Sequence, residues 1–344
     1  MRRFKTSYVL VSTGSALLAA IAIGTYLFTG AKPALAEPTN LIVNTHSVFW
    51  DPENPTDTKA GRLTYVGGLE LTSDHPSFGG LSGLIIGDKG DALISVSDQG
   101  NWVTADVISE NNRPMGLGEA LIAPMRGTDG APLSGKRNTD AESLTVAYGA
   151  DPRTSPTIVS FERNHRLRSY DLTRLGFDAP AIPINDSQMF DGLENNGGLE
   201  AITYLPDGSL LALSEKTFDE DGHIIGARLT ENGATPVRLK QHRPYALTDI
   251  DILPGGDLIT LERHYSPLAG VSMMMRRIPA RALESSDPLD GEVLMEANHT
   301  RSIDNMEGLS VRTSEEGTTL LYLISDDNFN ALQRTLLLVF ALND

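Results

Sequence analysis

Five stretches of this sequence begin an alternating apolar run with a carboxylate, or in one case a serine, and close the following run with a second carboxylate. The entry residues are Ser82, Glu142, Glu200, Asp249 and Glu307, and the exit residues are Asp98, Glu162, Glu215, Glu262 and Asp326. Counting outward from an Asp207-Gly208 turn sets Glu200 opposite Glu215. The same counting pairs Asp249 with Glu262 about Gly255-Gly256, and Glu307 with Asp326 about Glu316-Gly317. Ser82 with Asp98 and Glu142 with Glu162 need a slightly longer turn. Like charges directly opposite in a sheet repel. Nine carboxylates at matching positions call for counter-charge, and a hard divalent cation supplies it. The flexible oxygen coordination of Ca²⁺ fits better than the strict octahedron of Mg²⁺. Arg163, Lys216 and Arg263 each follow an exit acid, and Arg334 lies downstream of the last. Metal-ready carboxylates beside guanidinium groups suit a phosphate ester, whose oxygens a metal polarises and an arginine clamps. The expected metal ligands are Asp98, Glu142, Glu162, Glu200, Glu215, Asp249, Glu262, Glu307 and Asp326, and the expected catalytic residues are Glu200, Glu307, Arg263 and Arg334.

Each acid taken singly has an ordinary reading as a solvated strand edge, and Glu-Arg neighbours are often weak surface pairs. The repeated position of the set is what argues for function. Other chemistries fare worse. Ser82 lacks the glycine two residues on that a nucleophile elbow needs, and no helix follows it. The seven histidines show no H-E-x-x-H spacing, and there is no Gly-rich phosphate loop ahead of a helix. With no cysteine, thiolate zinc sites and disulfides are excluded. Met273-Met274-Met275 is expected to pack, and Asp219-Glu220-Asp221 to be a solvated loop.

The elements that must position these acids are hairpins. Alternating runs broken by Gly, Pro, Asn and Asp, with at most a helical turn or two near Arg281 to Ser285, make an all-β chain. Successive entries lie 60, 58, 49 and 58 residues apart. Repeats of that size predict a β-propeller of five or six blades, each a four-stranded sheet. Residues 41–79 with the terminal run 335–342 either complete the fifth blade or build a sixth. The first strand of each blade lines the central channel, so all entries and exits gather at one mouth.

Residues 1–36 carry Arg2, Arg3 and Lys5, a long apolar stretch and an Ala34-Leu35-Ala36 cleavage pattern, as an export signal does. Cleavage after Ala36 and a periplasmic or secreted location are expected, with an uncleaved anchor as the alternative. Residues 37–61 form a mostly irregular lead-in, and 62–344 the propeller domain. Removing the four basic residues of 1–36 leaves 24 basic residues against 45 acids, a formal charge of −21. That balance excludes nucleic acid and anionic lipid surfaces as partners and leaves a small-molecule substrate for a monomer.

The motifs FGGLSGL (78–84), SDQGNW (97–102), DAESL (140–144), NGGLEAIT (196–203), LERHYSPLAG (261–270), NMEGLS (305–310) and SDDNFNALQRTLLLVFAL (325–342) resemble, in order, those of the "esterase-like activity of phytase" family. The resemblance implies an exported bacterial propeller related by name to phytases. It also implies that Asp98, Glu142, Glu162, Glu200, Glu215, Glu262, Glu307 and Asp326 are the family's recurrent acids, with Arg263 and Arg334 as matching cations. The first blade departs from the pattern at Ser82. The expectation is an exported calcium-dependent phosphoester hydrolase. The alternatives are a calcium-dependent lactonase or carboxylic esterase, and a non-catalytic propeller that binds a ligand or partner.

Overall fold

The inner hairpins turn on glycines that adopt positive φ, at Gly90 (71°), Gly208 (83°), Gly256 (87°) and Gly317 (86°). A side chain with a Cβ disfavours that conformation. In the third hairpin Gly208 N–H donates to Leu205 O at 2.9 Å and Leu205 N–H to Ser209 O at 2.8 Å. The turn is therefore longer than the two-residue X-Gly turn read from the sequence. Tyr204 pairs with Leu210 across it, which moves the whole register.

The computed structural model describes residues 36–184, 193–194 and 197–343. The expected signal or anchor, 1–36, lies outside these residues except for Ala36, as does Asn196 of the NGGLEAIT motif. Among the described residues no helix is long and apolar enough to cross a membrane.

Five antiparallel sheets follow one another along the chain. The first holds Leu81–Ile86, Ala92–Ser97, Asn101–Glu110 and Arg113–Pro124, and the second Ala141–Thr145, Thr157–Phe161, Arg166–Tyr170 and Ile182–Pro183. The third holds Leu199–Tyr204, Leu210–Phe218, Ile224–Thr230 and Gly233–Leu239. The fourth holds Ala246–Ile252, Leu258–Ser266, Gly270–Ile278 and Glu292–Asn298. The fifth is built from Asn305–Thr313, Thr319–Asp326 and Thr335–Leu342, with Leu63–Thr72 from the start of the domain as its next strand. Leu63 pairs with Leu342 and Leu71 with Thr335, so the two ends of the chain lock one blade. The propeller has five blades, and residues 41–79 with 335–342 complete the fifth rather than found a sixth.

The lead-in carries three short strands. Thr39–Asn40 edges the first blade, while Asn44–Ser47 and Lys59–Ala60 pair with Leu63–Thr72 in the fifth. One 3₁₀ segment, Ala280–Glu284, stands where the sequence offered a helical turn.

Apolar side chains on both faces of the sheets form five cores, one between each pair of neighbouring blades. Trp102 and Val96 of the first blade meet Phe161 and Tyr170 of the second. Met273 and Met275 of the fourth pack with Leu323 and Phe340 of the fifth. Such double-sided burial explains why strands such as Thr319–Asp326 are buried almost throughout. It holds the five inner strands in a closed ring around the channel, which is what fixes the acids relative to one another.

Candidate metal centre and its carboxylate ring

Every inner strand begins with a β-bulge, and in four of the five blades it falls at the entry residue. Leu199 pairs with Ser214 and Ala201 with Leu213, leaving Glu200 as the bulge. Ser82 and Glu307 stand alike, between Leu81↔Ser97 and Gly83↔Val96 and between Met306↔Ser325 and Gly308↔Ile324. In the second blade the shift falls between Ala141↔Phe161 and Leu144↔Val159, the stretch that holds Glu142. A bulge bends its strand and re-aims one side chain. Glu200 and Glu215 are thus not direct cross-strand partners, and the opposition that the turn arithmetic implied does not exist.

The same register corrects the fourth blade by one residue. Its bulge falls between Leu247↔Glu262 and Asp249↔Leu261, so the equivalent of Glu142, Glu200 and Glu307 is Thr248. The exit position pairs with the residue two before the bulge: Asp98 N–H donates to Gly80 O, Glu162 to Asp140, Glu215 to Gly198, and Asn305 pairs with Asp326. In the fourth blade Ala246 pairs with Arg263. A guanidinium, not a carboxylate, completes the ring there.

Asp249 and Glu262 therefore leave the set of expected metal ligands. Asp249 accepts from Ser143 Oγ at 2.8 Å, Leu309 N at 2.7 Å and Ile250 N at 3.0 Å, and so joins three blades inside the channel. Glu262, 1% exposed, points into its own blade and accepts from Arg276 Nε at 2.6 Å and Thr260 Oγ1 at 2.7 Å. A one-residue shift on a strand moves a side chain to the opposite face.

Four of the remaining acids, Glu142, Glu162, Glu200 and Glu215, converge closely enough to share a cation, while Asp98, Glu307 and Asp326 belong to neither group. Oxygens of Glu162, Glu200 and Glu215 lie within 4.8 Å of one another, and so do those of Asp140, Glu142 and Glu162. Asp140, which the sequence reading passed over although it opens the DAESL motif, is 1% exposed. Arg263 Nε lies 2.9 Å from Glu307 Oε1, and its Nη2 lies 3.8 Å from Glu215 Oε1. Lys136, on the connection between the first two blades, pairs with Asp140 and reaches Asp98 Oδ2 at 2.7 Å. Arg163 pairs with Asp140, and Lys216 with Glu215. Arg334 is tied instead to Asp304 at 3.7 Å. Glu142, Glu162, Glu200 and Asp326 have no ion pair among the described residues.

Burial, reinforced by the neighbouring Glu215, Glu307 and Glu162 charges, pushes the Glu200 carboxyl well above its ordinary range. Burial and the charges of Glu200, Asp140 and Glu162 do the same to Glu142. Asp326 is also well above its range through burial and the Glu307 and Asp98 charges. Glu307 is raised by burial, although Arg263 opposes the shift. Burial also raises Glu162, against two amide hydrogen bonds from Gly197 and Gly198. Burial disfavours the Arg263 charge, but Glu307, Glu215 and Glu200 outweigh it and hold the guanidinium above its usual value.

A carboxyl whose folded pKa exceeds its unfolded one adds stability below the unfolded value and loses it as pH rises through the folded one. Protein stripped with chelator should therefore melt at a higher temperature at pH 5 than at pH 8. Added calcium should erase the difference. A melting temperature that rises with pH in chelator would contradict these shifts.

The residues fit an oxygen-seeking cation. The donors are all carboxylates, and two oxygens on one Ca²⁺ at about 2.3–2.6 Å cannot be more than roughly 5 Å apart. Both groups of oxygens, each within 4.8 Å of one another, meet that condition. One oxygen of the ring, Asp98 Oδ1, is buried without a hydrogen-bond partner, whereas Glu215 Oε1 already faces the Lys216 and Arg263 charges. Asp219, Asp221 and His223 also come together, but Asp219 is occupied by the amides of Asp221 and His223 at 3.0 and 2.8 Å.

Glycines let the backbone approach the ring. A Cβ on Gly80, whose φ is 62°, would stand 2.3 Å from Asp98 Oδ1. Gly80→Ala should lower stability by about 1–3 kcal/mol through backbone strain and displacement of that carboxylate. Chemical denaturation checks it, and an unchanged midpoint would show that Asp98 moves freely.

Comparison with curated proteins gives no match. Among solved structures, the chain is similar to a protein assigned as a gluconolactonase (13% identity, 91% of this chain and 96% of that one, TM-score 0.42). It is also similar to a luciferin-regenerating enzyme (10%, 76% and 92%, 0.40) and to virginiamycin B lyase from Staphylococcus aureus (9%, 88% and 100%, 0.38). At these identities and scores the likenesses lend nothing to the chemistry. The family model "Phytase-like: Esterase-like activity of phytase" matches residues 76–329, which span all five inner hairpins. The chain belongs to that phytase-like family.

Proposed function

We propose that the protein is an exported, calcium-dependent phosphoester hydrolase whose reaction takes place at the carboxylate mouth. The observation that carries this reading is the Glu162–Glu200–Glu215 trio. Three carboxylates with oxygens within 4.8 Å share one mouth, and two of them lack any ion pair among the described residues. Glu162, Glu200 and Glu215 would hold one cation, with Asp140 and Glu142 offering an adjoining position through the shared Glu162. A bound calcium ion would neutralise these carboxylates and polarise the phosphoryl oxygens of a substrate.

The chain's own groups supply the rest. Arg263, anchored by Glu307, presents a fixed guanidinium beside the trio, and a planar fork of donors suits a phosphate. Burial raises the Glu307 carboxyl although the Arg263 charge opposes the shift, and a carboxyl so placed would serve as the acid that protonates a leaving oxygen. It is steadied by Asn305 Nδ2, which donates to Glu307 Oε1 at 2.7 Å. Lys216 and Arg163 rim the mouth, while Arg334 serves only if it leaves Asp304. The acidic surface supports a small-molecule substrate for a monomer and no nucleic-acid partner.

The test is hydrolysis of p-nitrophenyl phosphate, bis-p-nitrophenyl phosphate, phytate, simple lactones and aryl carboxylic esters, each with calcium and with EGTA. Calcium-dependent phosphate release supports the reading. Turnover confined to lactones or carboxylic esters would replace it with a lactonase or esterase, and calcium binding without any turnover with a binding propeller.

A further inference from the structure

The channel has a second end, and it differs chemically from the first. Midway along it Ser143 of the second blade donates to Asp249 of the fourth, a bond that crosses the axis and separates the two mouths. Beyond this plug the inner strands end around a cavity of about 360 Å³. That volume is near the lower end of small-molecule pockets, about 300–1,000 Å³. Its walls are apolar and polar in about equal measure: Ile86, Val146, Ile202, Ile252 and Val311 stand beside Thr145, Thr203 and Ser310. Tyr148 reaches from the second blade to Pro254 O in the fourth at 3.0 Å and forms part of the roof.

One carboxylate of the inner strands faces this space. Asp251 accepts from Val311 N at 2.7 Å, Ile252 N at 2.8 Å and Thr203 Oγ1 at 3.4 Å. A carboxylate offers about four lone-pair sites, so one stays open. Asp251 has no ion pair among the described residues. Arg312 also lines the cavity, but its guanidinium is held by other groups: Nε donates to Tyr322 Oη at 3.0 Å and Nη2 to Asn112 Oδ1 at 2.9 Å, and the group lies over the Tyr322 ring. The other acid at the wall, Asp88, is exposed.

From this juxtaposition of a pocket with isoleucine and valine patches, a carboxylate without an ion pair among the described residues and a tyrosine roof, we propose that the far mouth is a second binding site, for a small organic ammonium ion with an apolar body. The ammonium would donate to the free lone pair of Asp251, and the body would replace water against the isoleucine and valine walls. Tyr148 adds an aromatic face on which a cation can rest. The site shares no side chain with the carboxylate ring and stands whether or not that ring is catalytic.

Calorimetric titration of the protein with benzylammonium chloride, in saturating calcium, tests it against benzyl alcohol of nearly the same shape. Benzylammonium should bind at least tenfold more tightly than the alcohol. Asp251→Asn should weaken it at least tenfold, Val146→Phe should abolish it by filling the cavity, and Glu200→Gln should leave it unchanged. Should Asp251→Asn fail to fold, Val146→Phe with Glu200→Gln decides the matter. Equal binding of the alcohol, no binding of either probe, or loss in Glu200→Gln with retention in Val146→Phe would each overturn the proposal.

Discussion

Glu200→Gln should remove the proposed calcium-dependent stabilisation and lower the proposed phosphoester turnover at least a hundredfold, about the lower bound for loss of a positioned acid–base or ligand group. Glu200 sits at the bulge of the third inner strand, 6% exposed, and shares its neighbourhood with Glu162, Glu215 and Glu307. In wild type, calcium at a hundredfold excess over its Kd should add about 2.7 kcal/mol, which for a domain of this size raises Tm by about 4–5 °C. The glutamine keeps the shape and removes one negative charge. Without calcium the variant should therefore melt at or above the wild type, because a buried repulsion is gone. Differential scanning calorimetry in EGTA and in calcium gives both readouts. A variant that still gains several degrees from calcium would place the ion elsewhere.

Arg276→Met should destabilise the protein by about 3–5 kcal/mol while leaving its calcium response intact. Arg276 is wholly buried and holds Glu262 at 2.6 Å and Asp290 at 3.1 Å. Removing the guanidinium strands the Glu262 charge inside the fourth blade. Adding Glu262→Leu should return much of the loss, since an apolar pair of similar volume can replace a buried ion pair. Urea denaturation of the single and double variants measures this. If Arg276→Met instead abolished calcium binding, Glu262 would belong to the ring after all.

The contrast between these two glutamates shows what was legible in the sequence. The hairpins were, because alternation, glycine turns and recurring acids are local signals, and their spacing announced a propeller. Membership of the ring was not fully legible. Each inner strand carries a bulge that no apolar pattern reveals, and in the fourth blade it shifts the register so that Thr248 and Arg263 occupy the places read as Asp249 and Glu262. Four blades tolerate the error because their acids fall on the bulge-consistent positions anyway. The fourth does not, and there the error hides the ring's own cation.

Asp140 and Lys136 were missed for another reason. They come from the connection between blades: Asp140 meets Glu162 at the mouth of its own hairpin, and the crossing from the first blade to the second brings Lys136 beside Asp98. The DAESL motif contained the signal for Asp140, since an acid two residues before a bulge faces the exit position. Asp251 gave no such signal. Its neighbours Thr203 and Val311 belong to other blades, 48 and 60 residues away.

The carboxylate mouth would bind calcium through Glu162, Glu200 and Glu215. Isothermal titration of calcium into chelator-stripped protein tests it most directly, with wild type beside Glu200→Gln and Glu262→Gln. The structure predicts saturable binding of at least one ion in wild type and in Glu262→Gln, lost or weakened at least tenfold in Glu200→Gln. No saturable heat in wild type, or equal affinity in wild type and Glu200→Gln, would contradict it.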